Sequence, residues 1–330
     1  MSDRRNFMKS AGAAAAGIAI AEALGASLAH ADGRSGRTDD FIRSVQRARI
    51  FDLSHTWDEK SPIAGVNPSY EMKLDATHAA TRGTFDPDGQ LSFTSEIQKW
   101  SGQHGAPSID AIGHIGHNGL LFGGVDAAAS TSDPRGLGRS GVGAHLDIAH
   151  YPKDLLVNRG VLLDVARFLQ PRGHKDAPLS PQVNITDEIL AETAREQGVR
   201  IRKGDTVLIR TGWGQHFTGN PALYAGADSA GVGVAGARWL VRQKPSVVGN
   251  DTLTFEVRPP LAFPPEVPLF QVFPVHMILI PDNGINIIEN YFLEEIARER
   301  EYEFLLVVPP IKIRGGTGSA LRSFAMVPRG

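Results

Sequence analysis

The stretch Gln103-His104-Gly105-Ala106-Pro107-Ser108-Ile109-Asp110-Ala111-Ile112-Gly113-His114-Ile115-Gly116-His117 places three histidines and one aspartate within 14 residues. The chain has no cysteine in 330 residues, so a thiol nucleophile, a disulfide framework, a Cys zinc site and an iron–sulfur cluster are all excluded. Imidazole and carboxylate are the donors a divalent Zn or Mn ion takes when no thiolate is available. The interleaved glycines and proline suit a tight backbone path that turns several side chains inward. The spacing alone leaves a second reading open, in which His114 and His117, three apart beside Asn118 and Gly119, sit on a partly exposed turn bonded to neighbours.

Working outward, short apolar, β-branched runs bounded by turn residues recur along the chain. They are Gly160-Val161-Leu162-Leu163-Asp164-Val165, Asp205-Thr206-Val207-Leu208-Ile209-Arg210, Ser246-Val247-Val248-Gly249, Ile285-Asn286-Ile287-Ile288 and Glu303-Phe304-Leu305-Leu306-Val307-Val308. Such runs read as buried strands. Between them lie helical patterns, the clearest after Thr186, an N-cap with Asp187 and Glu188 in the first turn and Gly198 as the stop. Val234–Val241 and Phe292–Arg298 carry similar patterns. Strands alternating with helices predict an α/β fold with a substantial sheet. Asp32–Thr38 is rich in Gly, Ser and Arg and reads as a flexible lead-in; beyond it there is no long linker and no internal repeat, so residues 32–330 are expected to form a single domain.

The N-terminus carries a different message. Arg4-Arg5 with Phe7 and Lys9, an uncharged run from Ser10 to Ala21, and Ala29-His30-Ala31 fit a twin-arginine signal peptide over residues 1–31. The uncharged run of 12 residues before Glu22 falls short of the ~20 needed to span a bilayer, so no stable membrane anchor is expected. The implied location is periplasmic or secreted, with the twin-arginine translocation machinery as a partner during export. Three basic and two acidic residues leave with this segment, taking the net charge from −2 to −3. A chain so balanced has no basic stripe with which to release counterions from a nucleic acid, and none is expected as a partner.

The run from His104 to His114 resembles the H-x-G-T-H-x-D-x-P-x-H signature of the cyclase family, which includes bacterial kynurenine formamidases and isatin hydrolases. His104 takes the first His, Asp110 the Asp and His114 the last His. Ser108 stands where the family has its second His, Ala106-Pro107 replace Gly-Thr and Ile112 replaces Pro, so the metal motif is degenerate. Phe51-Asp52-Leu53-Ser54-His55, Arg159–Val165, Ile201–Trp213 and Val248–Thr252 are similar to further family segments. Pro274-Val275-His276 and Ile287-Ile288-Glu289-Asn290 resemble the part that supplies the remaining His and Glu ligands, and Gly316–Ser319 resembles the closing loop.

The resemblance implies a single-domain α/β cyclase fold of the swivelling β/β/α type, a central mixed sheet with flanking helices, and homo-oligomers. It implies one or two divalent ions, Zn2+ or Mn2+, held by His104, Asp110, His276 and Glu289. His114 becomes the catalytic proton shuttle, Ser108 and His117 line the substrate or bind water, and Asp52, His55 and Asp251 are structural supports. The implied reaction is hydrolysis of an amide or cyclic amide in a small-molecule substrate by a metal-activated water. No G-x-S-x-G elbow offers a covalent route, and Gly315-Gly316-Thr317-Gly318 lacks the Lys of a phosphate-binding loop. Two alternatives stay open: a family member that binds a small ligand without turnover, and a lyase or dehydratase on a cyclic substrate.

Overall fold

The apolar runs pair into one mixed sheet. The computed structural model describes residues 36–63, 67–68, 70–86, 88–103, 105–171, 173–174, 176–258 and 273–329; the expected signal peptide and His104 lie outside them. The chain divides into two units, one of residues 1–49 with 328–330 and one of 50–327. In the first, residues 36–47 are helical, with an Arg43–Asp40 ion pair at 3.2 Å. Gly36–Thr38, expected as part of a flexible lead-in, therefore belong to a helix.

In chain order the strands of the main sheet are β1 (Arg49–Asp52), β4 (Ser108–Asp110), β7 (Val157–Asp164), β9 (Thr206–Arg210), β11 (Val247–Asn250), β12 (Asn286–Glu289), β13 (Glu303–Val307), β14 (Gly318–Ala320) and β15 (Phe324–Val327). Outside it are two antiparallel ribbons, β2 (Glu71–Ala76) with β3 (Ser95–Lys99) and β5 (Leu120–Leu121) with β6 (Val125–Asp126), and a short parallel pair, β8 (Asn184–Ile185) with β10 (Gly231–Val232). The nine strands of the sheet lie in the order β1-β15-β13-β7-β9-β11-β12-β4-β14. The central four, β7, β9, β11 and β12, run parallel. On their flanks β13, β4 and β14 pair antiparallel.

Parallel strands need crossovers, and the helices supply them. Asp187–Gln197, Val234–Gln243 and Pro274–Leu279 lie between successive central strands. Their buried residues Leu190, Ala237, Leu240, Val275 and Leu279 form one cluster with Val161, Leu163, Val207, Ile209, Val248 and Ile287. The alternate residues Leu162, Leu208, Val247, Ile288 and Ile109 join Phe304, Leu306, Tyr291 and Ile296 on the opposite face. Both faces are thus covered, which is why these strands read as unbroken apolar runs rather than alternating ones. Gly160 lies against the Phe304 ring, where a Cβ would come within 2.2 Å of Cε2.

The expected caps hold: the Thr186 side chain accepts from the Ile189 N–H, and Gly198 closes the helix at φ 67. Some boundaries move. Val165 starts a helix instead of ending a strand, because the Asp164 side chain caps it by accepting from the Arg167 N–H. Of the family-like segment Phe51–His55 only the first two residues are strand, within Arg49–Asp52, and the helix expected from Phe292 begins at Glu294. Among the described residues no helix is long and apolar enough to cross a membrane.

Candidate metal centre

Strand alternation decides which side chains meet. Ile109 and Ile288 point into the second apolar cluster, so their neighbours Ser108, Asp110 and Glu289 point toward the helix-covered face. Ser108 stands directly opposite Glu289 in the β4–β12 register, and the Asn286 amide fixes the β4 end by donating to the Asp110 carbonyl at 2.7 Å. A slip of one residue would drive these carboxylates into the apolar cluster, at a cost of several kcal/mol. His276 reaches the same place from helix Pro274–Leu279. Its Nε2 lies 3.2 Å from Glu289 Oε1 and 3.8 Å from Asp110 Oδ2. One donor atom from each of Asp110, His276 and Glu289 lies within 4.8 Å of the others.

His114 stands beside this trio. Its Nε2 is 3.9 Å from Asp110 Oδ1, and its Nδ1 lies 3.2 Å from Gln103 Nε2, an amide nitrogen that also donates to Thr317 Oγ1. An amide N–H donates, so Nδ1 accepts, and the neutral ring carries its proton on Nε2, facing the cluster. Of the residues expected at the site, Asp110, His276, Glu289, His114 and Ser108 are therefore brought together. His117 is engaged elsewhere, its Nδ1 2.9 Å from Asp282 Oδ1 on a solvent-exposed turn.

Three expected supports are structural. Asp52 pairs with Arg322 at 3.1 Å, and Asp251 accepts from the Thr211 N–H and Oγ1 and the Gly212 N–H. His55 stacks on Phe217 with ring centroids 4.1 Å apart. Burial lowers its pKa to about 4, against the pull of a Tyr291 backbone bond, so the ring is neutral at neutral pH.

The residue that sequence reasoning missed is Glu256. It is fully buried, its Oε1 lies 2.6 Å from His276 Nδ1, and its two oxygens accept the backbone N–H groups of Val275 and His276. Nothing in Leu253-Thr254-Phe255-Glu256 marks it, beyond an acid in an otherwise apolar loop.

The electrostatics are lopsided. Asp110, Glu256 and Glu289 share one face, and among the described residues their ion pairs are with His114 and His276 alone. Burial pushes the Glu289 carboxyl up to about 7; the hydrogen bond from His276 opposes this, and Asp110 adds to it. Burial would lower His276, but Glu256 and Glu289 together raise it to about 10. Such a surplus of buried anionic oxygens beside one imidazole is the donor chemistry a divalent cation fits. A cavity of about 30 Å³ bordered by Gln103, Gly105, Leu253, Glu289 and Asn290 adjoins it. A roomier cavity of about 710 Å³ lies elsewhere, walled by Ile112, Leu146, Tyr151 and Ile285, and none of the candidate ligands lines it.

A mixed sheet covered on both faces and a thiolate-free cluster of buried carboxylates and imidazole define an α/β protein with a candidate divalent-metal centre. The chain belongs to the cyclase family: the family described as "Putative cyclase" matches residues 51–257. It is similar to isatin hydrolase of Roseibium aggregatum, 27% identical over 199 residues that make up 57% of this chain and 72% of that protein. Among solved structures, that of a novel cyclase superposes with a TM-score of 0.70 at 26% identity, covering 86% of this chain and 90% of that one. Isatin hydrolase A from Labrenzia aggregata bound to benzyl benzoate superposes at 0.64 and 20% identity, covering 89% and 100%, a likeness of fold. The expected family and its mixed-sheet α/β fold are both borne out.

Proposed function

We propose that this protein is a metal-dependent hydrolase of a small amide or cyclic amide, isatin hydrolase-like or arylformamidase-like. The observation that carries this reading is the buried surplus of carboxylate around His276, in a chain related to isatin hydrolase. Asp110, His276 and Glu289 would hold the ion. When bound, a divalent ion supplies Lewis acidity toward a carbonyl oxygen and lowers the pKa of a water. The chain's own residues do the rest. Gln103 orients the His114 ring by donating to Nδ1, and the proton that His114 carries on Nε2, on the Asp110 side, passes to the departing amine nitrogen and is replaced on the same nitrogen by the proton lost from the attacking water. Oxygen joins the carbonyl carbon, the C–N bond breaks and nitrogen leaves protonated.

The twin-arginine pattern supports loading with Zn2+ or Mn2+ before export to the periplasm, and the mature chain would begin at Asp32 and assemble as a homo-oligomer. The test is elemental analysis of the exported protein together with assays on isatin and N-formylkynurenine. Stoichiometric Zn or Mn and a product heavier by one water are expected. A metal-free protein that turns over neither substrate overturns the reading.

Ser108 favours a second reading, a small-ligand binder without turnover, because a neutral hydroxyl stands in register with Glu289 where the family carries imidazole. Ser108→His separates the two. Hydrolysis predicts higher metal occupancy and rate, and the binder reading predicts no gain in rate.

A further inference from the structure

We propose that Glu256 is a positioning residue that fixes His276 in the tautomer with its proton on Nδ1, so that Nε2 presents its lone pair between Asp110 and Glu289. The inference rests on the reading of this cluster as a divalent-metal centre. The geometry is that of a clamp. Oε1 lies 2.6 Å from Nδ1 and also accepts the His276 N–H at 3.3 Å, while Oε2 accepts the Val275 N–H at 3.2 Å. One carboxylate therefore holds both the ring and the backbone that carries it.

The ring has two nitrogens, and only the one without a proton can donate to a metal. An anionic acceptor on Nδ1 keeps the proton there and increases the basicity of the opposite nitrogen. Nε2 is the nitrogen that faces Glu289 Oε1 at 3.2 Å and Asp110 Oδ2 at 3.8 Å. Glu256 itself is not one of the three residues whose donor atoms converge; both its oxygens face helix Pro274–Leu279. Its place in the chain explains the arrangement. It ends a loop in which the bulky, buried Phe255 is held at φ 58, a backbone conformation that persists only where surrounding contacts enforce it. Here the Phe255 carbonyl accepts from the Asn250 side chain at 2.8 Å and from the Val232 N–H at 3.2 Å.

The experiment is calorimetric titration of the chelator-stripped full chain with Mn2+ and with Zn2+, in wild type, Glu256→Gln, His276→Gln and the double variant, alongside thermal unfolding of each metal-free protein. Glutamine keeps the size and one acceptor but loses the charge, so a folded protein is retained. Metal affinity is expected to fall about 10- to 100-fold in Glu256→Gln. In the His276→Gln background the same change is expected to add less than about threefold, since the effect runs through the ring. A lowered unfolding temperature with unchanged metal affinity would assign Glu256 to helix anchoring and overturn the proposal. An equal loss in both backgrounds would overturn it too. Wild type that binds neither ion overturns the metal reading and this inference with it, whereas binding by wild type and Glu256→Gln alike overturns this inference only.

Discussion

Two buried charge clusters sit on the same sheet, and they are balanced in opposite ways. At the ends of β7 and β9, Arg210 lies between Asp164 at 2.8 Å and Glu294 at 2.6 Å, all with side chains under a tenth exposed, and Arg167 adds a second guanidinium 3.4 Å from Asp164. Two buried carboxylates there face two guanidinium groups from the chain itself, and the exposed Asp176 pairs with Arg167 at 3.0 Å on the outer side. At the other, Asp110 on β4, Glu289 on β12 and Glu256 in the loop after β11 face His276 and the neighbouring His114. The first cluster is complete as folded. The second has its charge open, which makes it a site where the other is a joint in the framework.

The largest test of that contrast is Arg210→Met. Removing the guanidinium leaves Asp164 and Glu294 buried without their partner, and breaking such a pair costs roughly 3–5 kcal/mol. Thermal unfolding should show a drop of about 10 °C. A shift within error of zero would mean that the cluster is not the balanced joint described.

At the other cluster, charge removal should act in the opposite direction. Metal at a hundred times its dissociation constant should stabilise wild type by about 2.7 kcal/mol. Glu289→Gln should abolish that gain yet make the metal-free protein more stable than metal-free wild type, on the order of 1 kcal/mol at pH 8, where the buried carboxylate is ionised at a cost. Burial raises the Glu294 carboxyl to about 7 as well, but both its oxygens accept from Arg210, so the counterpart Glu294→Gln should destabilise through the lost ion pair. If both glutamines destabilise the stripped protein equally, the contrast fails.

A further test, by pH alone, uses His55, a half-buried imidazole with no carboxylate ion pair among the described residues. Its folded pKa of about 4 lies below the ordinary 6.5, so the unfolded chain takes up a proton first as pH falls. Stability is therefore complete above pH 6.5 and declines toward pH 4, by about 1–2 kcal/mol at pH 5. Denaturant titration of wild type and His55→Phe at pH 7 and 5 should show the variant losing less. An equal loss in both would put the acid sensitivity elsewhere.

The legibility of the sequence follows the same division. The central strands could be read because both faces are buried and every residue is apolar, and helix Asp187–Gln197 because Thr186 and Gly198 are chemical punctuation. Asp110, His276 and Glu289 could be read because they stand in segments that resemble a family motif. The ribbon of β2 and β3 could not, since most of its residues are exposed and no face is buried to set a period. Strand β4 has three residues, too few for any alternation to show. Glu256 is silent for another reason: its role exists only once helix Pro274–Leu279 is seated against it, and no local pattern encodes a partner twenty residues away.

The register of β4 also carries a consequence for how the protein is made. This strand lies between β12 and β14, both more than 170 residues later in the chain, so Asp110 is synthesised long before the residues that complete its surroundings. Contacts of that sequence separation form late, after the loop-closure entropy has been met. In the proposed hydrolase, metal capture would thus await the far strands: no nascent fragment ending before Glu289 holds the three donors, and the first tight uptake of an ion would mark the moment at which those strands have closed.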